Sequence, residues 1–308
     1  KEYDTWVFEG VDTGSIGNFA QVGLKYHDQS QLNFYSTWEN VRKAGYDPHE
    51  MIKDLDEDNV WGAILQPSLG LRFYKLHDGE MVSAICWAYN SWVIDFCQPY
   101  SDRLKAIGCI NVDDIDEACE DLERCAKLGF AGVFIPVSPL PERPYRDPAY
   151  ERMWATAQDL DIPLLLHIGA IRSPIPGSEF EMDLNALTAA GRSTSDHWVR
   201  YSLTAMIFAG VFDRYPRLKV GSVEHEMAWV PHWLSRMDNT YLERPTHTGG
   251  FRSTEGMLPR DYWHRNMFVE FMEDDTGIRL RDIIGVDNML CGNDFPHSES
   301  TWPKSMEF

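Results

Sequence analysis

From about residue 60 onward the chain repeats one pattern, a short apolar run, a loop and an amphipathic helix. That alternation limits the fold more than any other feature of the sequence. Seven runs stand out: Trp61–Leu65, Leu104–Ile110, Ala131–Ile135, Pro163–His167, Leu218–Val223, Met267–Phe271 and Asn288–Cys291. They are short and lack the polar alternation of a half-exposed strand, which suits strands covered on both faces, as in a parallel sheet. Residues 1–58 lack this rhythm, are rich in Gly, Asp and Asn, and read as an irregular surface excursion.

The intervening helices are well signalled. Asp113-Asp114 caps a helix whose apolar residues Ile115, Ala118, Cys119, Leu122 and Cys125 share one face. Asp147-Pro148 is a capping residue followed by proline at the first helical position, and Tyr150, Met153, Trp154, Ala157 and Leu160 form the stripe behind it. Met81, Ile85, Tyr89, Trp92 and Phe96 mark a third helix. Leu203, Met206, Ile207 and Gly210 mark a fourth, which ends near Tyr215-Pro216. Strands alternating with helices imply parallel strands joined by right-handed crossovers. Seven strands fit an open doubly wound sheet or a barrel lacking one strand, and the pattern alone does not choose. The absence of GxGxxG or GxxxxGK[ST] after any strand weighs against a nucleotide-binding sheet.

Composition narrows the function classes. The 308 residues are 44% hydrophobic, enough for a sizeable core, and the sequence reads as a single domain, 1–308. A net charge of −20 repels phosphate backbones and anionic membranes, so neither nucleic acid nor membrane is an expected partner. No apolar run reaches the roughly 18 residues of a membrane span, and the chain opens on polar residues rather than a leader. Cys86, Cys97, Cys109, Cys119, Cys125 and Cys291 contain no CxxC pair and lie mostly in apolar segments, the usage expected in a reducing, cytoplasmic setting.

In parallel α/β proteins the reactive groups gather at the carboxyl ends of the strands. Three ends carry suitable residues. Pro163–Leu166 runs into His167, which is either a satisfied core histidine or a nitrogen donor for a metal. Val223 is followed by Glu224, His225 and Glu226, which serve equally well as acid–base groups or as a cap for the next helix. Leu290-Cys291 leads through Gly292-Asn293 to Asp294, a turn sequence that also offers a carboxylate. Two histidines and an aspartate converging on one end of a sheet are the mixture a catalytic metal site uses.

These segments resemble a known family. LLLHIG at 164–169, SVEHEMAWVPHWLSRMD at 222–238 and CGNDFPHSESTWP at 291–303 are similar to the amidohydrolase-2 group, the branch that includes aminocarboxymuconate-semialdehyde decarboxylase and γ-resorcylate decarboxylase. GYDPHEMIKDLDEDNV at 45–60, QPSLGL at 66–71, AICWAYNSWVIDFC at 84–97, RLKAIGCI at 103–110 and FDRYPRLKV at 212–220 extend the likeness, in order, over nearly the whole chain.

The resemblance implies a (β/α)8 TIM barrel with seven of its eight strands in this chain, and one divalent metal, zinc first and manganese second. It casts His167 and Asp294 as ligands and His225 as the catalytic histidine, with Glu224 in support and Asp294 also available to take a proton from bound water. Arg172 and His297 are candidates for holding substrate, and Phe295 and Trp302 for walling the pocket. The family's first strand carries an HxH or ExH pair; none precedes the residue-60 strand here, where His27 and His49 stand apart. Both ends are therefore expected to be missing. The resemblance implies hydrolysis of a small carboxylate- or carbonyl-containing molecule. The alternatives are non-oxidative decarboxylation with the same residues, or a barrel without catalysis. The partner is a small molecule, with a homodimer as an open alternative to a monomer.

Overall fold

The computed structural model describes residues 3–8, 11–26, 30, 32–172, 191 and 193–308; His27 lies outside them. By internal contacts the chain forms two compact units. The smaller comprises Lys1–Leu65, Val93–Lys105 and Gly292–Phe308, and the larger Gln66–Trp92 and Ala106–Cys291.

The smaller unit opens with an antiparallel hairpin of β1 (Thr5–Phe8) and β2 (Val11–Ser15). Residues 11–15 read Val-Asp-Thr-Gly-Ser, too polar to signal a strand in sequence, and the ladder carries an irregularity between Thr5 and Val7. The helix Pro48–Glu57 starts where proline at its first turn and the Asp47 cap place it. Trp302 packs in this unit. It is 8% exposed, its indole N–H donates to the Asp54 carbonyl at 3.1 Å, and the Arg42 guanidinium lies 4.3 Å from its ring. Arg42 in turn grips both oxygens of Asp54 at 2.5 and 2.7 Å. Gly23 sits against the same indole, where a Cβ would come within 3.1 Å of the ring, and its φ of +80° is one that side-chain-bearing residues rarely adopt.

The main sheet has seven strands: β3 (Ala63–Leu65), β4 (Leu104–Cys109), β5 (Gly132–Ser138), β6 (Leu164–Ile171), β7 (Val220–Val223), β8 (Met267–Phe271) and β9 (Met289–Cys291). Each lies beside its neighbours in sequence. The pairings from β4 to β9 are parallel, with Val133 opposite Leu164, Leu164 opposite Val220, and Val220 opposite Met267. An open doubly wound sheet reverses its strand order at a switch point; unbroken sequential order is the winding of a β/α barrel. All seven apolar runs become strands.

Burial follows the apolar pattern. In the helix Ile115–Leu128 the buried residues are Ala118, Cys119, Leu122 and Cys125, and Asp114 accepts from the amides of Asp116 and Glu117. The larger unit's core gathers Leu71, Phe73, Val82, Ile107, Phe134 and Leu165 around Tyr74, whose hydroxyl donates to the carbonyls of Ile110 and Phe134 at 2.9 and 3.2 Å. Tyr74 thus ties the ends of two neighbouring strand segments to residues 69–75, just upstream of the next helix. Five of the six cysteines are buried free thiols; Cys291 is exposed. Among the described residues no helix is long and apolar enough to cross a membrane.

Candidate active site

His167 lies within β6, not at its end. The strand continues to Ile171 through an irregularity in its pairing with β5 and through Gly169, whose φ is +78°. The imidazole is buried, edge-on to Phe134 at 5.1 Å. Its Nδ1 is 2.6 Å from the Ile168 carbonyl, so Nδ1 carries a proton and donates there. Its Nε2 is 3.1 Å from Glu224 Oε1. A bare lone pair facing a carboxylate at that distance is repulsive, so the pair needs a cation at Nε2. Burial alone would lower the pKa of His167, but the charge and hydrogen bond of Glu224 outweigh it and raise it. In the isolated chain a proton meets that need. A divalent ion meets it equally well, since an imidazole whose other nitrogen is fixed on a carbonyl is the usual form of a metal-bound histidine.

β7 ends at Val223, and the backbone then turns sharply. Glu224 and Glu226 both have positive φ, 58° and 52°, flanking His225. Left-handed conformation in a residue with a side chain costs about 1–2 kcal/mol, and such outliers cluster at functional sites. The turn is held from outside by Asp274, which accepts from the amides of Met227 and Ala228 at 2.9 and 2.7 Å. Because strand geometry has ended, Glu224 and His225 do not simply alternate faces: Glu224 meets His167 while His225 turns inward and is 4% exposed. His225 Nδ1 is 3.2 Å from Ser222 Oγ, and its buried Nε2 has no hydrogen-bond partner among the described residues. Burial, then the charge of His167, push His225 down to about 3, with Glu224 opposing. It rests neutral.

Two residues that the strand-end survey passed over belong to the same region. Glu270 on β8 accepts from Gln66 Nε2 at 2.5 Å; burial and then Glu224 raise it to about 6, against the opposing effects of Gln66 and His167. The sequence signal was available, a lone charge inside the apolar run Met267–Phe271. Gln66, in the QPSLGL segment, keeps a buried Oε1 without a partner among the described residues.

The other predicted residues are placed as follows. Arg172, immediately after β6, is 3% exposed, and four of its five N–H donors have partners among the described residues. Its Nε and Nη2 donate to the two oxygens of Asp113 at 3.1 and 2.5 Å, and its Nη1 to the carbonyls of Tyr74 and Leu76 at 2.7 and 2.5 Å. With those donors spent, it pins residues 74–76 and the loop after β4. Asp294 and His297 belong to the smaller unit. Asp294 has a φ of 51° and its carbonyl accepts from the His297 amide at 2.9 Å; the His297 ring packs edge-on to Phe19 at 5.0 Å. The structure therefore brings together His167, Glu224 and His225 in the larger unit. Among the described residues no group of three or more His, Cys, Asp or Glu forms a metal cage.

Sequential parallel strands carrying a buried histidine within β6, with a second histidine and a carboxylate in the turn after β7, define an α/β-barrel protein with a candidate metal-binding face. Residues 66–307 match the family model described as Amidohydrolase, and the chain belongs to that family. It is 27% identical over 227 residues to a γ-resorcylate decarboxylase of Rhizobium sp. (strain MTP-10005), an alignment covering 67% of this chain and 64% of that protein. The chain thus spans just under two thirds of that relative. Among solved structures it shares the fold of an amidohydrolase from Mycobacterium avium subsp. paratuberculosis K-10 (TM-score 0.73, 22% identity, 92% of this chain and 72% of that one). It also shares the fold of a dihydroxybenzoic acid decarboxylase from Polaromonas sp. JS666 with bound manganese and the inhibitor 2-nitroresorcinol (TM-score 0.66, 20% identity, 83% of this chain and 77% of that one).

Proposed function

We propose that the protein is a divalent-metal-dependent, non-oxidative decarboxylase of small aromatic hydroxy acids. The observation that carries this reading is the buried, unpartnered Nε2 of His225 beside the His167–Glu224 pair. The names of the relatives favour decarboxylation over the hydrolysis expected first. They also favour manganese as the metal to test ahead of zinc, because the Polaromonas structure holds manganese.

In this reading His167 would hold the ion, through the Nε2 that already requires a cation, and Asp294 is proposed as a ligand from the family resemblance alone. The bound ion supplies positive charge to orient the substrate's carboxylate and neighbouring oxygen. His225 manages the proton. At rest its burial keeps it neutral. A carboxylate brought into the pocket favours its protonated form, so proton uptake accompanies substrate binding. The proton then passes from Nε2 to the ring carbon, the carbon–carboxyl bond breaks, and CO2 leaves as its electrons restore the ring. Ser222 fixes the ring through Nδ1, and Glu224 supports from the His167 side. Arg172 contributes chiefly by anchoring the surrounding loops, because four of its five donors are already committed.

The test is to incubate the manganese-loaded protein with 2,6-dihydroxybenzoate and follow CO2 and resorcinol, beside aryl esters and amides. Release of CO2 that disappears in His225→Asn supports the reading. Ester or amide cleavage without CO2 would restore the hydrolase. Neither activity in a metal-loaded protein would leave a barrel without this chemistry.

A further inference from the structure

Beyond the carboxyl ends of β5 and β6 the larger unit contains a cavity of about 200 Å³, lined by Ser138–Pro141, Pro144–Arg146, Ile171, Trp198, Tyr201, Ser202 and Ala205. None of the groups assigned above to metal or proton chemistry lines it. Its walls are mostly proline faces, Ile171 and the rings of Trp198 and Tyr201, surfaces that pack against a flat apolar ring. Two of its polar side chains are already satisfied internally: Tyr145 donates to the Pro136 carbonyl at 2.5 Å and Ser202 to the Val137 carbonyl at 2.6 Å.

What remains is Arg146. It is exposed, and its one hydrogen bond among the described residues is a long one, 3.4 Å, to the Tyr201 hydroxyl. No carboxylate among the described residues pairs with it, although the chain carries 48 acidic residues against 28 basic ones. Nine of the eighteen described arginines have an acidic partner, and Arg146 is the one of the other nine that lines this cavity. A guanidinium left unpaired at the rim of an apolar, aromatic-walled cavity is complementary to one ligand chemistry, a ring bearing a single carboxylate.

We infer that this cavity is a second small-molecule site, binding an aromatic monocarboxylate through Arg146 and the Tyr201 hydroxyl with its ring against Trp198 and the prolines. The cavity is below the usual range of roughly 300–1,000 Å³ for small-molecule pockets, so it suits a single ring and not a larger ligand. The inference stands on residues separate from the proposed catalytic ones and does not depend on any turnover.

Benzoate is the probe, with benzyl alcohol as its uncharged counterpart, and binding to the full chain is followed by ligand-observed NMR. Arg146→Gln is expected to weaken benzoate about tenfold while leaving benzyl alcohol within about twofold. Trp198→Ala is expected to weaken both, and His225→Asn neither. Arg146 is exposed, so its replacement leaves the fold intact. The inference is overturned if benzoate does not bind, if Arg146→Gln binds it unchanged, or if binding is lost in His167→Ala and kept in Arg146→Gln, which would place the benzoate at the β6–β7 end. CO2 release is not read in this experiment, so its failure and that of the proposed decarboxylase remain distinguishable.

Discussion

Strand β6 and the turn after β7 each present a buried histidine, and the two are treated in opposite ways. His167 has both nitrogens engaged, one by a backbone carbonyl and one by Glu224, and its proton affinity is raised. Among the described residues His225 has one hydrogen bond, to Ser222, and no partner at Nε2, and its proton affinity is driven down to about 3. Burial acts on both in the same direction, so the difference lies in the partner. A carboxylate at 3.1 Å makes the first a place for a cation, and its absence makes the second a neutral group able to gain and lose a proton.

The strongest way to break this comparison is to remove the cation-holding side. His167→Ala should lose the roughly one manganese per chain expected of the loaded protein and with it essentially all CO2 release, while His225→Asn retains the metal. Elemental analysis of the two variants after desalting checks this; equal metal in both would dissolve the distinction. Next in size is His225→Asn itself, which should lower kcat by about 10²–10⁴ with little change in Tm, because Nε2 makes no hydrogen bond among the described residues. A large drop in Tm would show that the histidine is structural.

Much of this arrangement was legible before any coordinates. The seven apolar runs became the seven strands because burial on both faces leaves an unmistakable composition. His167, His225 and Glu224, which the structure places together, could be singled out because polar residues that close apolar runs are few. The details that decide chemistry were not legible. β6 runs past His167 because a buried histidine sits as comfortably inside the strand as at its end, and residue type does not reveal which. The left-handed turns at Glu224 and Glu226 carry no glycine to announce them. Arg172 looked available for substrate because its partner Asp113 lies 59 residues away, and tertiary pairing of that kind has no local signature. The hairpin β1–β2 went unseen because Asp12, Thr13, Gly14 and Ser15 break the alternation that marks a strand.

A finer test addresses what keeps His225 in place. Ser222→Ala removes its one hydrogen bond among the described residues, and the ring should then sample other orientations. About a tenfold loss in kcat is expected, in line with the loss of supporting hydrogen bonds elsewhere, with metal content unchanged. A Ser222→Thr variant that recovers activity would assign the effect to the hydroxyl, and a loss of metal in Ser222→Ala would show that the two strand ends are not separable.

The smallest effect concerns Glu270, which adds to the negative charge on the His167 side. Its carboxyl is raised to about 6 in the folded chain, against about 4.3 when unfolded. Between those values the folded state binds more protons than the unfolded one, so stability falls as pH rises from about 4 to about 6 and stays lower above that. Glu270→Gln removes the buried charge and can still accept from Gln66. In metal-free protein it should gain about 1 kcal/mol at pH 7.5, after allowance for the polar surroundings, and nothing at pH 4. Urea denaturation at the two pH values measures this. An equal gain at both would mean that packing and not charge is responsible, and the excess of negative charge assigned to the β6 end would then play no part in setting it apart from β7.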